Sequence, residues 1–231
     1  DGRSVKGKST EDVSSVLKGQ PGVEVNILIE RPGTEKPIKK TLTREEVKVK
    51  SVPYKGMVDD GIAYVRLTRF TRNCASEVQE AILELTNEND VKGLVLDLRG
   101  NPGGLLNESV SLCNLFIDKN QEVVSTKGKI KDWEKSYKTM KEPLYKELPL
   151  AILINQSSAS ASEIVSGTIQ DLDRGIILGK KSFGKGLVQQ TRKLSYNSQL
   201  KVTVAKYYTP SGRCIQALDY TNKNEDGSVG K

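Results

Sequence analysis

Along the first part of the chain, apolar and polar residues alternate singly; further on, apolar residues recur every three or four positions or gather into short runs. The alternating stretch Val23–Glu30 reads as a strand, Arg31-Pro32-Gly33-Thr34 as a turn, and Ile38–Arg44 as the returning strand. Ahead of them, Ser9-Thr10-Glu11-Asp12 has the composition of a helix start, and Gly19 followed by Pro21-Gly22 that of its stop. Residues 46–53 read as a linker strand and Ile62–Leu67 as a strand. In Ser76–Leu85, Val78, Ile82 and Leu85 fall on one helical face. Gly93–Arg99 is a nearly continuous apolar run, as in strands buried within a parallel sheet. It enters a glycine turn, Gly100-Asn101-Pro102-Gly103-Gly104, then a second helix to about residue 116, then a strand at 122–126. Residues 127–147 are polar and Lys-rich, with Trp133 among them, and read as a long excursion near the mouth of a site. Beyond it come a strand at 150–154, a helix at 160–171, the apolar triplet Ile176-Ile177-Leu178, and β segments at 187–193 and 199–208. Strands alternating with helices predict an α/β fold with a largely parallel sheet and right-handed crossovers.

Three regions follow: a small β-rich module at 1–48, an α/β domain at 49–221 and a polar tail at 222–231. With 36% hydrophobic and 28% charged residues, the composition is that of a soluble globular protein. No apolar run reaches the ~20 residues of a membrane span. The sequence opens at Asp1 as if in mid-domain and reads as a fragment, so its missing leader carries no information on compartment. The net charge of +7 describes a solvated basic surface; aromatics at 5%, not interleaved with the lysines, argue against a nucleic-acid platform.

One count narrows the chemistry sharply. The chain has no histidine, which removes Ser-His-Asp and Cys-His catalysis, histidine-bearing zinc sites and histidine general bases. Cys74, Cys113 and Cys214 are far apart, odd in number and without CxxC spacing, so they predict small packed residues rather than a metal site or disulfide framework.

Acid–base chemistry must then rest on other groups. The run Ala151–Ile154 turns through Asn155-Gln156 into Ser157-Ser158-Ala159-Ser160-Ala161-Ser162-Glu163. Ser157, Ser158, Ser160 and Ser162 all compete for a nucleophile's place or for a plain capping role. Ser160 suits the strand-to-helix corner, with the Ala161 N–H available to an oxyanion and Glu163 as a cap partner. Lys185, between Gly184 and Gly186 in an apolar context, reads either as a surface lysine or as a buried base, because burial disfavours the charged amine. Gln189 could hold the lysine by hydrogen bonding. The turn at 100–104 closes a strand at its carboxyl end, where α/β folds place their sites, and its glycines let backbone N–H groups approach a ligand.

Taken together and in order, DLRGNPGG at 97–104, SASASEI at 158–164, FGKG at 183–186 with Gln189, and YYTPSGR at 207–213 resemble the C-terminal processing peptidases, or tail-specific proteases, over most of residues 46–216. The segment from Asp1-Gly2 through Leu17-Lys18-Gly19-Gln20-Pro21-Gly22 to Glu30-Arg31-Pro32-Gly33 is similar to the second half of a PDZ domain. The resemblance implies a ClpP/crotonase-like catalytic domain and an endopeptidase with Ser160 as nucleophile, Lys185 as base and Gln189 orienting the lysine. The implied oxyanion donors are Ala161 and a glycine of the pair Gly103 and Gly104. It further implies protein or peptide substrates with apolar C-terminal tails, no metal or cofactor, and a place outside the bacterial cytoplasm, such as the periplasm. A homo-oligomer, an adaptor protein, and membrane association through segments outside this chain are compatible with it. A ligand-binding protein of the same fold that has lost its chemistry is the alternative; it would lack the serine or the lysine, and both are present.

Overall fold

The computed structural model describes every residue except 1, 3, 47–49, 197, 224–228 and 231. The chain divides into two compact units, Asp1–Val49 and Lys50–Lys231. The first holds helix α1 (Thr10–Leu17) and an antiparallel hairpin, β1 (Glu24–Ile29) with β2 (Ile38–Thr43). Ser9 caps α1 by accepting the Asp12 N–H at 3.2 Å. At the other end the Arg44 guanidinium donates to the Leu17 carbonyl at 2.7 Å, satisfying one of the acceptors a helix leaves open at its C-terminus. None of the described residues of this unit is buried.

In the second unit, β3 (Tyr54–Asp59) turns through Asp60-Gly61 into β4 (Ile62–Arg66), antiparallel to it. The sequence pattern missed β3, because Tyr54–Asp59 is an edge strand interrupted by Gly56 and leaves no buried alternation. Residues 50–53 of the expected linker strand are irregular, and 47–49 lie outside the described residues. Helix α2 (Cys74–Glu88) crosses to β5 (Gly93–Asp97), parallel to β4. Helix α3 (Leu106–Cys113) then leads out to β6 (Glu122–Lys127) and β7 (Lys135–Lys138). The chain returns as β8 (Leu150–Ile154), parallel to β5, and passes through α4 (Ala161–Asp171) into β9 (Ile176–Gly179), parallel to β8. The five-stranded order is β3-β4-β5-β8-β9.

A second sheet, wholly antiparallel, has the order β10-β11-β6-β7, with β10 at Leu187–Lys193 and β11 at Gln199–Tyr208. The expected 127–147 loop is therefore partly sheet: Lys135–Lys138 pairs with β6 as an edge strand, whose polar outer residues hide it from a hydrophobicity reading. The expected polar tail, 222–231, takes in the last two residues of β12 (Asp219–Lys223) and its partner strand β13 (Val229–Gly230), while residues 224–228 and 231 of it lie outside the described residues.

The core lies between the three helices and one face of the five-stranded sheet. Val78 and Ile82 of α2, Leu112 of α3, and Ile164 and Ile169 of α4 are buried in one cluster with Val65, Leu96 and Ile152 of the strands. That burial holds the carboxyl ends of β5 and β8 side by side, through Asp97 opposite Leu153. The loops leaving those two ends build the site.

Candidate active site

The turn after β5 is braced from below. Asp97 is 2% exposed and accepts the Tyr64 hydroxyl at 2.5 Å, the Arg99 N–H at 2.8 Å and the Arg99 guanidinium at 2.8 to 3.1 Å. Burial works to raise the Asp97 pKa, but the hydrogen bonds from Arg99 and Tyr64 outweigh it and hold the carboxyl below its ordinary value. Asn101, fully buried, spans the junction: its amide donates to the Leu67 carbonyl at 2.9 Å and its side-chain oxygen accepts the Gly103 N–H at 2.9 Å. Its main-chain carbonyl accepts the Ala159 N–H and the Ser162 hydroxyl, both at 3.0 Å. Asn101 thereby joins the glycine turn to the serine turn, a role the sequence did not disclose.

Gly103 lies directly against the serine turn at φ +92°. A β-carbon there would stand 2.5 Å from the Ala159 carbonyl oxygen and 2.8 Å from both the Ala161 nitrogen and the Ser160 β-carbon. Gly104 is turned toward Phe70, whose carbonyl accepts the Leu105 N–H at 2.8 Å. Of the two glycines, Gly103 has its N–H committed to Asn101, whereas the Gly104 N–H has no acceptor among the described residues.

The four serines separate cleanly. Ser158 is buried, donates to the Leu98 carbonyl at 2.7 Å and accepts the Asn155 N–H at 3.0 Å. Ser162 is buried and bound to Asn101, and Ser157 is exposed on the turn. Ser160 is half-buried at the N-terminus of α4, with φ 57° and ψ −112°, a conformation costly for any residue with a β-carbon. Ser160 and Glu163 form the capping box of α4, and among the described residues the Ser160 hydroxyl has no partner beyond that first turn. The main chain closes the turn as well, the Glu163 N–H reaching the Ser160 carbonyl at 2.9 Å. The Ala161 N–H has no acceptor among the described residues and sits at the positive end of α4.

Glu163 does more than cap. It is 5% exposed, and one carboxylate oxygen accepts the Ser160 N–H at 2.7 Å and the Lys185 N–H at 2.8 Å. The other accepts the Ser182 hydroxyl at 2.8 Å and the Gly184 N–H at 2.5 Å. A single buried carboxylate thus pins the lysine loop to the serine turn. The Phe183 N–H adds a bond to the Ser158 carbonyl at 3.0 Å. Only Glu163's capping half was visible in the sequence, because its partners at 182–185 are distant in the chain.

For Lys185 the sequence left two readings, a surface lysine or a buried base. Its side chain is exposed rather than buried. The flanking glycines serve the backbone: a β-carbon on Gly184 or Gly186 would collide with Ala217 or Gln216, so main chain packs inward and the lysine stem points out. Gln189, also exposed on β10, bonds the Thr203 hydroxyl at 3.4 Å rather than Lys185. The structure therefore brings Ser160, Ala161, Gly103 and the Lys185 backbone together, and leaves the Lys185 and Gln189 side chains facing solvent. Cys74 and Cys113 are buried and Cys214 exposed; burial pushes the Cys113 thiol up to about 12.

The carboxy-terminal-processing protease of Bartonella bacilliformis is 40% identical over 224 residues, covering 96% of this chain and 51% of that protein. A probable CtpA-like serine protease of Staphylococcus aureus is 39% identical over 217 residues, covering 93% of this chain and 42% of that one. Among solved structures, the photosystem II D1 C-terminal processing protease superposes with a TM-score of 0.64 at 33% identity, over 94% of this chain and 58% of its own. The chain spans about half the length of the curated relatives it matches. The model of peptidase family S41 matches residues 61–222, the stretch that holds every site residue described above, and the chain belongs to that family.

Proposed function

We propose that this chain carries the catalytic portion of a serine-type endopeptidase that uses a Ser160–Lys185 dyad. The observation that carries the reading is the state of Ser160: alone among the four clustered serines it combines a strained strand-to-helix corner with a half-buried hydroxyl, and it is not tied to a distant main-chain carbonyl as Ser158 and Ser162 are. Glu163 sets the Lys185 backbone beside it. In the reaction the neutral Lys185 amine takes the Ser160 proton as Oγ attacks the scissile carbonyl. The oxyanion of the tetrahedral intermediate is met by the Ala161 N–H and by a glycine N–H of the 103–104 pair. Gly104 is favoured, because its N–H is unengaged. Collapse breaks the C–N bond, the lysine returns its proton to the leaving amine, and the acyl-enzyme remains. Water then adds, with Lys185 again as base, to release the new carboxyl terminus and restore Ser160.

The exposed lysine gives the substrate a part in this scheme. A peptide lying across the turn covers the exposed lysine and excludes water from the space between it and Ser160. Gln189, the third residue of β10, then orients the amine. Unstructured proteins with apolar C-terminal tails are the proposed substrates, and a place outside the bacterial cytoplasm is proposed, both on the resemblance carried by the motifs at 97–104, 158–164, 183–189 and 207–213; the name of the Bartonella relative adds carboxy-terminal processing. No helix of the described residues is long and apolar enough to cross a membrane. Residues 1–48 are proposed as the second half of a PDZ-like module, 49–221 as the catalytic domain and 222–231 as a tail.

The test is cleavage of an unfolded protein with an apolar tail by the wild type, Ser160→Ala and Lys185→Ala, read by mass spectrometry across pH. We expect both variants to lose cleavage and the wild-type rate to rise with pH, as a lysine base requires. Cleavage by Lys185→Ala at the wild-type rate would overturn the dyad.

A further inference from the structure

Charge along this chain is strongly segregated. Between Arg174 and Leu218 there are nine lysines and arginines and not one aspartate or glutamate. The net charge of the whole protein is +7, so the remaining residues carry slightly more acid than base. Within this basic stretch lies the β10–β11 hairpin, of which every described residue from Gln189 to Thr203 is exposed, although on one face Gln190 and Arg192 line a cleft shared with Asp132 and Lys135. Five residues of strand on each side at about 3.3 Å per residue make a two-stranded finger roughly 16 Å long before its loop. An isolated two-stranded ribbon gains little stability in water by itself.

The finger ends in apolar residues. Tyr196 at the apex is 100% exposed, Leu194 53% and Leu200 48%. Immediately behind them are Arg192, Lys193 and Lys201, with Arg192 opposite Leu200 and Lys201 opposite Thr191 in the pairing. An aromatic and aliphatic tip with a collar of long cationic side chains fits one environment closely. Tyrosine places its ring in the headgroup layer of a bilayer, leucine enters the acyl boundary, and lysine and arginine stems extend to lipid phosphates. An acidic polypeptide would engage the collar but leave the apolar apex in water. A second copy pairing along the open edge of β10 would set basic strand against basic strand, which repels.

We propose that the β10–β11 hairpin is a membrane finger that docks this protein on an anionic lipid surface. β10 begins two residues after Lys185, so docking would hold the proposed site close to the bilayer. The proposal rests on charge and exposure, and lipid binding reads it without any cleavage, so its failure is separable from failure of the peptidase reading.

The experiment is co-sedimentation of the whole chain with phosphatidylcholine vesicles, and with vesicles in which about a third of that lipid is replaced by phosphatidylglycerol. We expect binding to the anionic vesicles alone, weakening as salt shortens the reach of surface charge. Each basic residue in such a collar is worth about fivefold in binding, so Lys193→Gln with Lys201→Gln should weaken it by more than about tenfold. Leu194→Ser with Tyr196→Ser should weaken it as well, with circular dichroism confirming the native fold; if that pair unfolds, Tyr196→Ser alone replaces it. The proposal is overturned if the wild type stays in solution with both vesicles, or if the hairpin variants bind as tightly as it does. It is equally overturned if vesicles of either composition bind alike, or if sedimentation velocity shows a dimer that the tip substitutions dissolve, which would make a second copy the occupant.

Discussion

At the scale of single residues, the site is made by backbone conformations that only certain side chains tolerate. Gly103 is the sharpest case. Its φ of +92° is open to glycine at little cost, and the space its missing side chain leaves is where the Ser160–Ala161 peptide lies. Gly103→Ala must distort one turn or the other. We expect it to lose at least about 1 kcal/mol in urea denaturation, and to lose cleavage even where the fold survives. A variant with wild-type stability would show that the two turns do not press on each other. Ser160 carries the complementary strain, held by its bond to Glu163. In the sequence Ser160 suits the strand-to-helix corner, but three neighbouring serines compete for the nucleophile's place or for a capping role. Ser158 and Ser162 are eliminated only by what their hydroxyls touch, the Leu98 and Asn101 carbonyls, sixty or so residues away in the chain.

At the scale of elements, the site is a junction of three loops held by two buried polar side chains. Asn101 ties the loop after β5 to the loop after β8, and Glu163 ties the start of α4 to the loop before β10. Four donors converge on the Glu163 carboxylate, so Glu163→Gln keeps the shape but turns one acceptor into a donor aimed at other donors. A buried donor left unpaired costs about 1 to 3 kcal/mol, and a loss of that size in thermal or urea unfolding is expected. Because the lysine loop would drift from Ser160, kcat should fall with KM little changed. Unaltered kcat would mean that the clamp is only structural. The strands and helices around this junction were largely readable beforehand: β8, β10 and β11 lie where the alternation placed them, and α4 begins one residue after its expected start. Of the missed elements, β3 and β7 are edge strands and β12 and β13 form a two-stranded sheet with no interior strand, so none leaves a periodic trace.

At the scale of the molecule, two acidic groups make the fold sensitive to acid. Asp97 and Asp171 are nearly buried, and both have pKa values held below the ordinary one. In each case burial opposes the shift, while hydrogen bonds from Arg99 and Tyr64, or from Ser211, Thr209 and Arg213, prevail. A carboxyl whose folded pKa is depressed releases its proton more readily in the folded state, so its stabilisation is complete above the unfolded value of about 3.9 and fades as pH falls through the folded value. Urea midpoints should therefore hold steady near neutrality and drop in acid below about pH 4. Asp97→Asn should be less stable at neutral pH and lose less of its stability on acidification. An acid response identical to that of the wild type would remove Asp97 from this role.

The α/β class, the order of the central strands and helices and the exclusion of histidine-based chemistry followed from the chain itself. Hydrophobic period is a local property, and the absence of histidine excludes whole mechanisms wherever the residues come to lie. What the sequence could not decide depends on groups brought together from far apart: which serines are tied to a distant carbonyl, which glycine N–H remains open, that Asn101 and Glu163 hold the turns, and that Lys185 faces water. A hydrogen bond or a collision is set by positions in space, and those positions exist only once the sheet has placed the ends of β5 and β8 side by side.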